Sequence, residues 1–192
     1  MDEWVFEHVA ALFESAKHNA SLDAALRQDK VVVFLHLLGL DTNGHAHRPH
    51  SKEYLDNIAY VDAGVQRVVA MCEQFFNDDK ATAYVFTADH GMNDRGAHGD
   101  GDPTNTRTPL VAWGAGIRKP TPTANKQDRE AVEWGLGHVT RTDVEQASLA
   151  PLMAALIGVP FPLNSVGVLP LDYLDDDAGH EGRGHFKAQY VY

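Results

Sequence analysis

Two short segments with the composition of buried strands, separated by a long stretch of helical periodicity, constrain the fold more than any other feature of this sequence. Residues 31–35 (Val-Val-Val-Phe-Leu) and 82–87 (Thr-Ala-Tyr-Val-Phe-Thr) have the β-branched and aromatic composition of buried strands. Between them, apolar side chains recur every three or four positions over 55–75, which predicts a long helix. Strand, helix and strand of this length are typical of a right-handed βαβ unit. We therefore predict an α/β fold with a mostly parallel sheet and flanking helices.

Two more predicted elements and one loop complete this part of the chain. Apolar residues at helical spacing predict an amphipathic helix over 3–18, and the apolar segment 109–113 predicts a third strand. The polar residues 41–51, which follow the first strand, predict a loop in which Gly44 allows a tight bend.

The C-terminal third of the sequence is less regular. Thr142-Asp143-Val144-Glu145 has the pattern of a capping box, which predicts a helix that begins there and runs to Ile157. Pro151 lies inside that helix and is expected to bend or split it. Residues 175–192 show little periodicity and are predicted to form a divergent, poorly ordered tail, so the folded part is predicted to span 1–174.

Composition excludes some classes of function. The chain has 27 acidic and 16 basic residues, a formal net charge of −11, and such a surface repels phosphate backbones, so no nucleic-acid partner is predicted. Eleven His residues stand beside a single Cys. This ratio points to metal binding by nitrogen and oxygen ligands and away from sites built of several thiolates. Cys72 lies on the core face of the predicted long helix and is interpreted as a packing residue.

Two features bear on the cell compartment. The longest apolar run, 31–40, is interrupted by His36 and is too short to cross a bilayer. Asn19-Ala20-Ser21 has the pattern of an N-glycosylation acceptor, which matters only in the secretory pathway. The sequence leaves that reading open against a simple turn between helices, in which Ser21 caps the following segment.

Acidic and imidazole side chains follow the ends of two predicted strands. Asp41 and His45 come after the first, Asp89 and His90 come directly after the second, and His98 follows in a glycine-rich loop. Parallel neighbouring strands would bring both sets to the same edge of the sheet. Carboxylate oxygen and imidazole nitrogen are ligands of Zn²⁺ and Mn²⁺. Because five ligands exceed the needs of one open catalytic site, we predict a two-metal cluster of the kind that serves phosphoryl transfer.

Four segments contain longer motifs that resemble a known family. They are FLHLLGLDTNGHAHRP at 34–49, TADHGM at 87–92, TPLVAWGAG at 108–116 and IGVPFPLNSVG at 157–167. Together they resemble the GPI ethanolamine phosphate transferases, which are membrane enzymes of the alkaline phosphatase superfamily. The resemblance covers roughly 3–174, and the motifs are most similar to those of the subtype acting on the first mannose of the GPI precursor.

This resemblance implies a fold, an activity and a set of roles. The fold would be alkaline-phosphatase-like and incomplete, because the chain would be the C-terminal half of the catalytic domain. The implied reaction moves phosphoethanolamine from phosphatidylethanolamine to the first mannose of the GPI-mannose lipid precursor, in the lumen at the endoplasmic reticulum membrane. It implies two divalent metal ions, Zn²⁺ in preference to Mn²⁺. Asp41, His45 and His98 would hold one ion, whereas Asp89 and His90 would hold the other together with an upstream Asp and a Thr nucleophile.

The resemblance also implies regions beyond this sequence. The Thr nucleophile would lie upstream, and membrane attachment would come from a multi-span region downstream. A phosphoethanolamine–threonine intermediate could not form without that Thr, so we expect the chain alone to be inactive as an enzyme. A truncated sheet would also expose apolar surface meant for missing strands, so we expect poor solubility or self-association.

Two other hypotheses remain open from the sequence. The chain could belong to a soluble phosphodiesterase or phosphatase of the same superfamily, although the segment Gly-His-Ala-His-Arg-Pro at 44–49 favours the transferase. It could also be a non-catalytic metal-binding fragment, which metal titration would test.

The remaining histidines and one aspartate have weaker assignments. His47 is a candidate for binding substrate, as is His50, although a solvated loop explains both equally well. His36 is expected to lie inside the sheet as a strand residue. Asp102, where relatives more often carry His, could carry negative charge near the metals or be a loop residue before Pro103, and the loop interpretation is preferred. No role is assigned to His180 and His185 in the predicted tail.

Overall fold

The structure is a computed structural model that describes residues 2–123 and 128–175. The chain divides into two compact units, Met1–Val111 and Ala112–Tyr192. Except for Asp175, the predicted tail lies outside the described residues, and so do His180 and His185. All five predicted metal ligands belong to the first unit.

Helices make up most of the first unit. They are α1 (Asp2–Lys17), α2 (Ala20–Leu26), α3 (Gly39–His47), α4 (Lys52–Phe75) and the short α5 (Pro103–Thr106). The predicted helices 3–18 and 55–75 are confirmed as α1 and α4. The second begins earlier than predicted because Ser51 caps it, its hydroxyl oxygen accepting a hydrogen bond from the backbone N–H of Tyr54 at 3.1 Å.

The core of this unit lies between α1 and α4. Val9, Phe13 and Ala16 of α1 pack with Cys72 and Phe75 of α4. The rings of Phe13 and Phe75 lie 5.0 Å apart between centroids, at a tilted angle that aromatic pairs favour. Burying each large apolar side chain contributes about 1.5–3 kcal/mol to folding. Burial also raises the pKa of the Cys72 thiol, so this cysteine packs in the core as a neutral side chain.

Residues 39–47 form a helix where the sequence predicted a loop. Gly39 is held by the buried side chain of Asp2, which also contacts half-buried Asn57: the Gly39 N–H donates to Oδ1 of Asp2 at 2.8 Å, and Oδ2 of Asp2 accepts from Nδ2 of Asn57 at 2.9 Å. Asn43, one turn later, donates to Oδ1 of Asn57 at 2.5 Å. The prediction was wrong because these contacts to α1 and α4 outweigh the low helix propensity of Gly, Thr and Asn.

The predicted first strand is also wrong for this structure. Residues 31–38 are neither helix nor strand, and the apolar side chains Val32 and Phe34 are 58% and 80% exposed. His36, expected inside the sheet, is exposed. Strand structure requires a hydrogen-bonded neighbour, and the described residues supply none for this segment.

The described strands form one two-stranded sheet. Strand β1 (Ala83–Thr87) and strand β2 (Leu110–Gly114) match the predicted second and third strands, and the boundary between the two units falls inside β2. The hydroxyl of Thr87, at the end of β1, donates to the carbonyl of Pro109, just before β2, at 2.9 Å. The two strands therefore run antiparallel, and the predicted parallel sheet is not present among the described residues.

The second unit contains short helices around a small apolar centre. They are α6 (Arg129–Glu133) and α7 (Leu149–Leu156), with 3₁₀ turns at Gln146–Ser148 and Leu171–Tyr173. The capping-box prediction was wrong: 142–145 are not helical, and α7 follows the first of these turns. Pro151 does not bend the helix because it lies in the first turn, where a backbone N–H has no helical partner to lose. Across the described residues, no helix combines the length and the apolar character needed to cross a membrane.

Candidate metal centre

Helix α3 presents two of the predicted ligands on one face. Asp41 and His45 are four residues apart, so their side chains stand one turn above the other. Gly39 and Asn43 occupy the opposite side of the helix and make the contacts to Asp2 and Asn57 described above. The polar network that fixes α3 thus leaves the Asp41–His45 face available for ligand binding.

The segment after β1 brings the other predicted ligands to α3. Two backbone bonds close a turn at its centre: Asn93 N–H donates to Ala97 O at 3.0 Å, and Gly96 N–H donates to Asn93 O at 2.9 Å. This turn reverses the chain and places His98 against His45 and Asp41. The predicted convergence is therefore found, although a helix and a turn produce it rather than two parallel strands.

Three ligand atoms form a nearly equilateral triangle. Nε2 of His45 lies 3.1 Å from Nε2 of His98, and Oδ1 of Asp41 lies 3.4 Å from the first nitrogen and 3.3 Å from the second. Zinc ligands lie about 2.0–2.2 Å from the ion, so two of them at the tetrahedral angle are separated by about 3.3–3.6 Å. The triangle thus has close to the dimensions of one face of a tetrahedral zinc site.

Asp41 carries an atom that protein groups leave unsatisfied. Oδ1 is buried and accepts no hydrogen bond among the described residues, although both imidazole nitrogens lie within ion-pair distance. An imidazole nitrogen at 3.3–3.4 Å without suitable N–H geometry is a poor donor, so neither histidine satisfies this oxygen. A buried carboxylate oxygen without a partner is costly, and a cation between these three atoms would remove that cost.

His90 extends the cluster on the side of His98. The two imidazole rings are stacked, with centroids 3.8 Å apart and an interplanar angle of 19°. One ligand atom each of Asp41, His90 and His98 lies within 4.8 Å of the others. Nδ1 of His90 lies 2.9 Å from the carbonyl of Gly91, which can only accept, so Nδ1 carries the proton and Nε2 keeps the lone pair.

Asp89 is the least enclosed of the five predicted ligands. Its side chain is 78% exposed, and its Oδ2 lies 3.7 Å from Nε2 of His90. Its Oδ1 accepts a hydrogen bond from the backbone N–H of His90 at 3.0 Å. Asp89 and His90 therefore form an adjacent pair at the open edge of the cluster, and a second ion held by them would need further ligands.

Close glycine contacts hold the two halves of the cluster together. A Cβ on Gly44 would lie 2.2 Å from Sδ of Met92, so the prediction that Gly44 makes a tight bend was wrong: its missing side chain admits Met92. Gly96 has a φ of +71°, and a Cβ there would lie 2.5 Å from the carbonyl of Gly44. Arg48 closes the same corner by donating to the carbonyl of His45.

Sequence reasoning missed the residues that orient the ligands. The carbonyl of Gly96 positions His45, and Asp2 with Asn57 positions α3. None of the three was assigned such a role from the sequence. A weak signal existed, because Asp2 and Asn57 interrupt helix faces that otherwise carry apolar residues. A backbone carbonyl leaves no sequence signal.

The other candidate residues lie apart from the triangle. His47 is exposed, and His50 is an exposed partner of Asp94 at 3.0 Å. Asp102 caps α5, accepting bonds from the hydroxyl and the backbone N–H of Thr104 at 2.7 and 2.8 Å. These bonds lower the pKa of Asp102, the hydroxyl bond being the larger cause. This geometry agrees with the interpretation of Asp102 as a loop residue.

Comparison with known proteins supplies a family and named relatives. The family model described as Sulfatase matches residues 9–159. The chain is 58% identical over 180 residues to GPI ethanolamine phosphate transferase 1 of Aspergillus fumigatus (strain ATCC MYA-4609 / CBS 101355 / FGSC A1100 / Af293), covering 91% of this chain and 17% of that protein. The proteins of the same name from Mus musculus and Homo sapiens are 52% and 53% identical, over 100% and 92% of this chain and 20% and 19% of theirs. Comparison with solved structures gives no match.

The matched proteins are much longer than this chain. It spans about a fifth of the length of the curated relatives it matches. The Sulfatase match implies an alkaline-phosphatase-like α/β fold, a class of protein that generally uses divalent metal ions.

Proposed function

This chain belongs to the sulfatase family, and from that premise we propose that it forms part of the catalytic domain of a metal-dependent phosphoethanolamine transferase of GPI-anchor biosynthesis. The observation that carries the proposal is the triangle of Asp41, His45 and His98, with its edges of 3.1–3.4 Å and its unsatisfied carboxylate oxygen. The relatives' name, GPI ethanolamine phosphate transferase 1, supplies the reaction class.

The proposed cofactors are two divalent metal ions, with Zn²⁺ preferred to Mn²⁺. Asp41, His45 and His98 would hold one, while Asp89 and His90 would hold the other together with ligands from outside this chain. Such a pair supplies Lewis-acid stabilisation to the oxygens that gain charge during phosphoryl transfer. The triangle supports the first assignment, and the adjacent pair at the open edge supports the second.

Several residues of this chain would act by positioning. The carbonyl of Gly96 holds His45 in the tautomer whose Nε2 faces Asp41. The carbonyl of Gly91 accepts from Nδ1 of His90 and so leaves the lone pair of that ring on Nε2. His47, one turn beyond Asn43 on α3, is exposed and would bind a substrate phosphate. The Thr nucleophile would be supplied by the longer protein, so this chain alone would be inactive.

The proposed substrates are more specific than the relatives' name, which gives only the reaction class. Phosphatidylethanolamine would be the donor and the first mannose of the GPI-mannose lipid precursor would be the acceptor. The catalytic domain would face the lumen of the endoplasmic reticulum, and regions outside this chain would attach it to the membrane.

We also propose that residues 31–35 are a strand of a parallel sheet in the longer protein. Exposed Val32 and Phe34 support this, because the segment is apolar, is not helical, and has no hydrogen-bonded neighbouring strand among the described residues. Paired on both edges and covered on both faces, these side chains would be buried as their composition predicts.

The test uses the longer protein in membranes that hold the GPI precursor. Transfer of labelled phosphoethanolamine should be present, and fragmentation mass spectra of the product should place it on the first mannose. Asp41→Asn should abolish transfer, whereas Asp94→Asn, at an exposed carboxylate outside the triangle, should leave it intact. Hydrolysis of soluble phosphodiesters without transfer would contradict the proposal and support a soluble superfamily hydrolase.

A further inference from the structure

The connection between α1 and α2 carries a modification motif that the proposed function does not use. Asn19-Ala20-Ser21 is the one Asn-x-Ser/Thr triplet in the 192 residues. All three residues are exposed, and α2, which begins at Ala20, has no buried residue. We propose that Asn19 is an N-glycosylation site. This inference rests on the proposed function, because the acceptor is glycosylated only if this domain faces the lumen.

The side chain of Asn19 is oriented so that a glycan would not disturb the helix it caps. Its Oδ1 accepts hydrogen bonds from the backbone N–H groups of Ser21 and Leu22, both at 3.1 Å. The glycan attaches to the other amide atom, Nδ2, which has no hydrogen-bond partner among the described residues. The capping bonds would therefore survive modification, and the first sugar would extend into solvent.

The surroundings of Asn19 leave room for a bulky polar group. Helix α1 turns Phe13 and Ala16 into the core, whereas Lys17 and His18 at its end are exposed. Asn19 itself has an extended backbone, with φ −135° and ψ 97°, and is exposed. A glycan here would lie over polar, exposed residues and away from the apolar core.

The chemistry is a substitution at a sugar carbon. Nδ2 of Asn19 forms a bond to C1 of an oligosaccharide carried on a lipid pyrophosphate, and the bond between C1 and the pyrophosphate oxygen breaks. The lipid pyrophosphate leaves with the electron pair, and Nδ2 loses one proton.

The experiment is performed on the longer protein made in eukaryotic cells. Trypsin cleaves after Lys17 and Arg27, so residues 18–27 form one peptide that contains Asn19 and Ser21. We expect this peptide to carry a glycan in the wild type, and glycosidase treatment should release it and convert Asn19 to Asp. Ser21→Thr should keep the modification, whereas Ser21→Ala should lose it. Asn19→Asp should also lose it while retaining a capping oxygen, so loss of the modification is separated from loss of the cap.

A reporter site separates failure of this inference from failure of the proposed location. Asp79→Thr converts exposed Asn77-Asp78-Asp79 into a second acceptor triplet. Modification at Asn77 with none at Asn19 would overturn the inference and leave the lumenal location standing. Absence of modification at both would contradict the lumenal location and the inference with it.

Discussion

The backbone carbonyl of Gly96 lies 2.8 Å from Nδ1 of His45, 51 positions earlier in the chain. A carbonyl can only accept, so Nδ1 carries the proton and the lone pair of a neutral imidazole is on Nε2. That nitrogen lies 3.4 Å from Oδ1 of Asp41 and 3.1 Å from Nε2 of His98. The bond therefore fixes which atom of His45 is available to a metal ion.

Removing a member of the triangle should remove metal binding by the 192-residue chain. We expect His45→Ala to weaken Zn²⁺ binding at least about 100-fold, because losing a mere supporting contact already costs about 10–100-fold. Isothermal titration with Zn²⁺ at fixed pH measures this. His50→Ala is the matched control, since His50 pairs only with exposed Asp94 in the described structure. Equal losses in the two variants would contradict the assignment.

Displacing the Gly96 carbonyl, which orients His45, should weaken metal binding even though no side chain is lost. Gly96→Ala introduces a Cβ 2.5 Å from the carbonyl of Gly44, which should displace the segment and weaken Zn²⁺ binding about 10–100-fold. Gly99→Ala is the control, because Gly99 also has a positive φ, +96°, but its Cβ would meet open space. Both variants carry backbone strain, so only Gly96→Ala should change the titration. Similar affinities in the two would show that the carbonyl has no orienting role.

Overpacking at Gly44 should destabilise the fold and be relieved by a second change. Gly44→Ala gains about 1 kcal/mol of helix propensity, yet its Cβ would lie 2.2 Å from Sδ of Met92. Such overpacking typically costs about 1–3 kcal/mol, so we expect a net loss of unfolding free energy in urea denaturation. Adding Met92→Ala removes the clashing atom, and the double variant should lose less than the sum of the single variants. Strict additivity would contradict the contact.

The buried carboxylate of Asp2 should contribute measurably to stability. Asp2→Ala leaves the Gly39 N–H and the Asn57 amide without their acceptor, and a buried unsatisfied group costs about 1–3 kcal/mol. Asp94→Ala, at a side chain 85% exposed, should change unfolding free energy by no more than about 0.5 kcal/mol. Denaturant titration compares the two. An unchanged midpoint for Asp2→Ala would exclude the proposed fixing of α3.

The exposed apolar segment should drive association of the isolated chain. Phe34 is 80% exposed, so we expect the 192-residue chain to self-associate and Phe34→Glu to reduce the associated fraction in light scattering. Leu163→Glu tests specificity, because Leu163 is fully exposed at a different place, with a relative exposure of 102%. A monomeric wild-type chain would contradict this prediction. In the longer protein the same Phe34→Glu change should instead impair folding, because the segment is proposed to be a buried strand there.

Long periodic elements were predictable from the sequence, and elements that depend on distant contacts were not. Helices α1 and α4 and strand β1 follow from local apolar patterns. Helix α3 was not predicted because Gly39 and Gly44 have low helix propensity, whereas the contacts that stabilise the helix come from Asp2 and Met92, which are distant in the sequence. Residues 31–35 form no strand in this structure, although their composition fits a sheet, because no neighbouring strand is described for them.

The side chains predicted as metal ligands come together in this structure, whereas the parallel sheet that was expected to support them is not present among the described residues. Asp41, His45, His90 and His98 do converge, because residue type and order along the chain limit where such costly side chains can lie. Their assignment to individual ions stays a prediction. The orienting role of the Gly96 carbonyl was beyond sequence reasoning, since every residue except proline offers the same backbone groups.

Helix α3 connects the docking of α1 with the proposed binding of a metal ion. One side of it is anchored to Asp2 of α1, and the other side displays Asp41 and His45. If the proposed ion binds at Asp41 and His45, it would stabilise only conformations in which α3 is formed, so metal occupancy and the docking of α1 would be thermodynamically linked. Substitutions that weaken the contacts near the start of α1 would then raise the metal concentration needed to fill the site. A higher metal concentration would restore the folded, metal-bound form of such variants without a second substitution.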